Sequence, residues 1–200
     1  MKKVLSLVLV FVIVAMLFSG CSSNEPNADM TEKNVTKTVD IAFDALKRFD
    51  IETLETYVKS STLTQIISFA NEHEQFKALG RAIFANLTYE IKDIDLDAAL
   101  VTVAVTNKDL EEAAKKFMDG LLDEFSLMDL LTQLNNDSWL DQNLSVLTSS
   151  IDECEMNPSP IEITLKIREG ADHLVLRFGS EAEDAVSGGA LGAIKSIIPF

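Results

Sequence analysis

Basic charge is scarce in this chain of 200 residues: 17 lysines and arginines stand against 32 aspartates and glutamates, a formal net charge of −15. Phosphate binding needs a basic footprint, so nucleic acid is excluded as a partner. Cysteine occurs twice, as Cys21 and Cys154, so one intrachain disulfide is the most the chain can form, and none if Cys21 is modified. Histidine also occurs twice, and neither copy completes a metal motif. His73-Glu74-Gln75-Phe76-Lys77 starts like His-Glu-x-x-His, but Lys77 occupies the place of the second ligand. Asp93-x-Asp95-x-Asp97 opens like a calcium loop, yet Ala98 replaces the required glycine and Ala104 the bidentate glutamate. Both histidines are expected at the surface. The chain has no Gly-x-Ser-x-Gly elbow and no phosphate loop. No metal and no cofactor is expected.

Long apolar runs are missing too, with one exception at the N-terminus. Lys2 and Lys3 precede an apolar stretch from Val4 to Phe18, broken only by Ser6, and Ser19-Gly20-Cys21 follow. A positive start, a short apolar stretch and small residues before a cleavage point describe an export signal. The run is shorter than the roughly 20 residues that span a bilayer. Ser19-Gly20-Cys21 resembles the lipobox of bacterial lipoproteins, with Phe18 where that group usually has leucine. The resemblance implies that Cys21 is acylated and becomes the first residue after cleavage. An ordinary secretory signal or an uncleaved anchor are the alternatives. Residues 1–20 are thus expected to be a lipoprotein signal peptide, 21–30 a flexible tether containing Pro26, and 31–200 one domain. The expected location is the extracytoplasmic face of the cell membrane, held by lipid. Removing residues 1–20 takes away two lysines and no acid, leaving 15 basic against 32 acidic side chains, a net −17.

Within the domain the hydrophobic period changes several times. Val35, Val39, Ala42, Phe43 and Leu46 recur at helical spacing; Asp50 can cap a second helix with Ile51, Leu54, Tyr57 and Val58. Helix is expected again from Leu63 to Phe84, with a break near Asn71 or Gly80. Leu87, Tyr89 and Ile91 then alternate with polar residues, and a slip of phase at Ile94 predicts a bulge. Val101, Val103 and Val105 continue as the partner strand. Residues 108–157 read as a helical insertion ended by Pro158 and Pro160, with Ser138 as a possible cap for its last helix. Ile161 to Ile167 and Leu174 to Phe178 form a second hairpin. Ser180-x-x-Glu183 predicts a capping box for a C-terminal helix. Gly188, Gly189 and Gly192 either end that helix or allow close packing. The expected fold class is α+β: a bent antiparallel sheet of about four strands in two hairpins, with helices before, between and after them.

The opening Val39-Asp40-Ile41-Ala42-Phe43-Asp44-Ala45-Leu46 and the ending Glu183-Asp184-Ala185-Val186-Ser187-Gly188-Gly189-Ala190-Leu191 resemble bacterial lipoproteins of unknown function that carry a nuclear transport factor 2-like domain. The resemblance covers about residues 32–196. It departs in His173-Leu174-Val175, where many relatives have Trp-Lys-Ile, and in the fifty-residue insertion. It implies a cone of curved sheet around helices, with a cavity that in some relatives catalyses isomerisation or dehydration and in others binds small molecules or serves assembly. Fold by itself does not choose among these.

Isomerase chemistry in such a cone requires a carboxylate base and a phenol or neutral acid to stabilise an enolate. Tyr57 and Tyr89 are the phenols in the chain, and acids on apolar faces are lacking apart from Asp44. No catalytic residue is assigned. Cys154 lies among Asp152, Glu153 and Glu155, whose charges raise a thiol pKa and discourage nucleophilic chemistry. The apolar stretch from Phe117 to Leu131 is too rich in large side chains for a solvated helix. It either covers the sheet or forms a lid over a ligand. The expectation is a lipoprotein that binds a small apolar ligand or an envelope protein without catalysis, through Tyr57, Phe84, Tyr89, Phe117 and Phe125. The alternatives are an isomerase- or dehydratase-type enzyme and a structural assembly module.

Overall fold

A computed structural model describes residues 28–197. The expected signal peptide 1–20, the expected lipidation site Cys21 and the expected tether as far as residue 27 lie outside the described residues. Chain order starts with helices α1 (Glu32–Arg48) and α2 (Ile51–Tyr57), strand β1 (Val58–Lys59), and helices α3 (Ser61–Glu72) and α4 (Glu74–Phe84). Strands β2 (Thr88–Asp95) and β3 (Leu100–Thr106) follow, then helices α5 (Glu111–Glu124), α6 (Leu127–Gln133) and α7 (Asp137–Glu153). Strands β4 (Ile161–Glu169) and β5 (Leu174–Arg177) and helices α8 (Ser180–Val186) and α9 (Ala190–Ile197) complete it. The fold is α+β, with a five-stranded sheet in the order β1-β5-β4-β3-β2. The fifth strand is β1, which pairs in parallel with β5 through Val58 and Leu176. Two residues carry too little alternation to be read as a strand, and the sequence pattern assigns Val58 to the preceding helix.

The first three helices each begin at a side-chain cap, whereas α4 and α5 begin without one. Thr31 accepts from the Asn34 amide and starts α1; Asp50 accepts from the Thr53 amide and starts α2; Ser60 accepts from the Leu63 amide and starts α3. Helix α1 ends at Phe49, held left-handed at φ 50°. The break between α3 and α4 falls at His73, which closes one helix and opens the next. It does not fall at Asn71 or Gly80. Gly80 is needed for packing: a Cβ there would lie 2.5 Å from the Phe49 ring.

The two predicted hairpins are present. Strand β2 changes register against β3 between Ile91 and Asp93, which is the bulge anticipated from the slip of phase. Across the sheet, Val101 stands between Ile94 and Leu165, and Val103 between Ile91 and Ile163. These rows face α1, which packs against β5 and β2, while α8 packs against β4 and β3. Val39, Phe43 and Leu46 of α1 are fully buried. A large aliphatic or aromatic side chain buried this way contributes about 1.5–3 kcal/mol. Phe43 packs between Tyr89 and Phe178, with ring centroids 4.6 and 6.0 Å away. The space under the sheet is filled by the protein's own side chains.

The remaining helices form a second layer in which α4 packs on α3 and α7, and α5 on α7 and α9. Buried Asn107 links this layer to the sheet. Its side-chain amide donates to the carbonyls of Ile83 (2.9 Å) and Val186 (2.8 Å), while its Oδ1 accepts from the Lys108 amide. The Lys108 ammonium reaches the carbonyls of Ile151 and Asp152 at the end of α7, both at 2.9 Å.

Candidate functional site

A cavity of about 440 Å³ lies within the helical layer, away from the sheet's packed face. Its walls come from helices that each turn one stripe inward at spacings of three and four. Helix α3 contributes Ile66 and Phe69, α4 contributes Phe76, Leu79, Ile83 and Phe84, and α5 contributes Ala114, Phe117, Met118 and Leu121. Leu130 of α6 and Leu134 at its end close one side, Trp139, Leu140, Leu144 and Leu147 of α7 another, and Leu191 and Ile194 of α9 the last. Three side chains with polar ends join them: Thr62, Gln65 and Lys195. Apart from those three, the side chains around the space left between the stripes are apolar.

The polar end of the cavity is organised by Glu183. This carboxylate is 1% exposed. It accepts from the Ser60 hydroxyl, from the Thr62 hydroxyl at 2.7 Å and amide at 3.3 Å, and from the Lys195 ammonium at 2.5 Å. Burial works against ionisation, but the bonds from Lys195, Ser60 and Thr62 together outweigh it and hold the carboxyl below its usual range. The expected capping box at Ser180-x-x-Glu183 is therefore not formed. Gly179 is the N-cap of α8, without a side-chain cap bond, and the Glu183 side chain turns inward beside Ala182 and Val186. A carboxylate with four donors around it in the interior is better satisfied there than at a solvated helix start. Sequence reasoning missed this residue because its spacing from Ser180 matched a capping motif.

Of the five residues expected to line a ligand site, Phe84 and Phe117 face this cavity. Phe125 stands behind the wall, edge-on to Trp139 with centroids 5.9 Å apart. Tyr57 lies elsewhere, 4.8 Å from the His173 ring. Tyr89 is on strand β2, where its hydroxyl donates to Asp40 at 2.8 Å. Burial, that hydrogen bond and the charges of Asp40 and Asp44 push the phenol well up. Asp40 and Asp44 are both exposed. The five residues are thus divided among four places, because the expectation of one cone cavity assumed that the space under the sheet was open.

His73 and His173 are less exposed than anticipated. The His73 side chain is 12% exposed and its Nδ1 lies 3.0 Å from Asp137, beside a bond from Gln75 to Asp141 at 2.6 Å. These contacts tie α4 to α7 along one rim of the cavity. His173 lies between Asp172 and the Thr56 carbonyl. Among the described residues, no group of three histidine, cysteine, aspartate or glutamate side chains is placed to hold a metal ion. Cys154 is a free thiol, half-buried and donating to the Ser150 carbonyl. Burial pushes its pKa up; Asp109, Glu153 and Glu112 add to this and Lys108 opposes it. No helix among the described residues is long and apolar enough to cross a membrane.

No family model matches the chain, and no curated protein matches it. Among solved structures it is similar to a candidate lipoprotein, YcdA, of Bacillus subtilis subsp. subtilis strain 168. The identity is 13% and the TM-score 0.35, over 80% of this chain and 47% of that one, so this chain spans about half the length of that protein.

Proposed function

We propose that this chain is a lipoprotein held at the extracytoplasmic face of the membrane through Cys21, and that its domain binds a small apolar ligand without catalysis. The cavity carries this reading. Its 440 Å³ falls within the range of about 300–1,000 Å³ usual for small-molecule sites. An acid–base enzyme would place a carboxylate, histidine or phenol facing its substrate. Among the described residues the wall holds none of these, and Tyr89 with its acidic neighbours sits outside it.

Trp139 is the chain's single tryptophan and faces the cavity, so it reports on an occupant directly. The full mature chain in phospholipid nanodiscs is titrated with the uncharged dye N-phenyl-1-naphthylamine. Saturable energy transfer from Trp139 at one dye per chain is expected, weakened when Ala114→Leu pushes extra carbon into the space. Transfer that never saturates, or is indifferent to Ala114→Leu, contradicts the binding site. The anchor is tested by labelled palmitate, expected on the wild type and absent from Cys21→Ala; label retained on the variant overturns it.

A further inference from the structure

The polar groups of the cavity are not scattered. Thr62 and Gln65 are three residues apart on one face of α3, and Thr62 and Lys195 both bond the same oxygen of Glu183, Oε2, at 2.7 and 2.5 Å. Gln65 is exposed, which places this end at the mouth, where a head group can stay wet. The rest of the wall offers carbon and the indole of Trp139. An occupant that satisfies both ends has an apolar chain and one polar head.

The charge of that head follows from Glu183. Among the described residues the Lys195 ammonium is the one cation on the wall, and it is neutralised by the carboxylate that it bonds. An anionic head would have to share Lys195 with Glu183, placing two negative groups together where water is partly excluded. A cationic head would displace Lys195 or stand beside it. A hydroxyl or ester meets neither penalty. It can accept from the ammonium protons that Glu183 does not use and exchange bonds with the Gln65 amide. We infer that the cavity takes a single-chain amphiphile with an uncharged, hydrogen-bonding head, of the monoacylglycerol class, with the head at Thr62, Gln65 and Lys195 and the chain between α4, α5 and α7. At roughly 30 Å³ for a water-sized group, 440 Å³ holds on the order of fourteen chain carbons. The inference rests on the proposed binding role and adds the ligand class to it.

The test uses bromine, which quenches indole fluorescence at short range, and Trp139 as the reporter. The mature chain in nanodiscs is titrated at pH 8 with three ligands brominated near the end of a chain of about fourteen carbons, a length set by that same packing estimate. They are a monoacylglycerol, the ionised fatty acid and the alkane without a head. The monoacylglycerol is expected to quench saturably, at a concentration about tenfold lower than either other ligand, as one or two net hydrogen bonds allow. Gln65→Leu, a change on the exposed rim, is expected to bring monoacylglycerol and alkane within about twofold of each other. Equal quenching by all three ligands overturns the head group and leaves the apolar reading standing. Tighter quenching by the fatty acid overturns the charge assignment. An unchanged monoacylglycerol preference in Gln65→Leu overturns the position of the head. If no ligand quenches saturably, the binding role itself falls.

Discussion

Glu183 is a carboxylate buried to 1% exposure, and four hydrogen bonds offset the cost of that burial. Removing one partner of a buried pair typically costs several kcal/mol because the other charge is left stranded. Lys195 keeps some contact with water, its side chain being 29% exposed, so Glu183→Gln should cost less, about 2 kcal/mol. Its pH dependence distinguishes this from a packing defect. The folded carboxyl titrates below its unfolded value, so its contribution is fully present above about pH 4.3 and is lost as pH falls through the lower, folded value. Urea midpoints of wild type and Glu183→Gln should differ at pH 7 and converge towards pH 3; a constant difference would count against the assignment. Asn107 offers a second residue-scale check. Asn107→Ala strands the carbonyls of Ile83 and Val186 and should cost about 2–3 kcal/mol in the same measurement.

At the scale of elements, α6 differs from the rest of the insertion. It packs less closely on its neighbours than α5 or α7 does, and its Met128 is 73% exposed. Its start is held by a reciprocal capping box in which Ser126 and Asp129 bond each other's backbone amides. Ser126→Ala should remove about 1 kcal/mol from this helix. Hydrogen exchange is expected to rise in residues 127–133 while α4 and α7 keep their protection. Exchange rising equally in all three would mean that α6 opens only with the whole layer. The turn between α8 and α9 is the opposite case. Gly188 is at φ 61°, a Cβ there would lie 1.9 Å from the Lys108 carbonyl oxygen, and its own carbonyl accepts from the Leu110 amide at 2.7 Å. Both readings of this glycine from the sequence hold: it ends a helix and lets two backbones approach.

For the whole molecule, the decisive feature is that the two layers are packed differently. Beneath the sheet the chain fills its own space, and between the helices it does not. Equal changes in the two places should therefore have unequal costs. Phe43→Ala removes a ring buried against Tyr89 and Phe178 and should destabilise by about 3–5 kcal/mol. Phe117→Ala enlarges a space that already exists, next to a half-buried ring, and should cost roughly 1 kcal/mol while weakening dye binding. Denaturation and dye titration of both variants check this. A larger loss from Phe117→Ala would mean that the cavity wall, not the sheet interface, limits stability.

Periodicity and capping chemistry are local, and most elements were legible from them. The 3.6-residue stripe of α1, the alternation of β2 to β5, the bulge after Ile91 and the helical insertion all follow from interactions between neighbours in the chain. What periodicity shows is that a stripe is buried; it does not show what buries it. The stripes of α1 and α5 read alike, yet one meets a sheet and the other a gap between helices. For the same reason Tyr89 and Phe84 resembled one another as cavity residues, and only the second is one. Glu183 was hidden more thoroughly, since its partners Ser60 and Thr62 are more than 120 residues away. Only the tertiary structure decided where the open space lies and which carboxylate is buried beside it, because both depend on contacts between segments far apart in the chain.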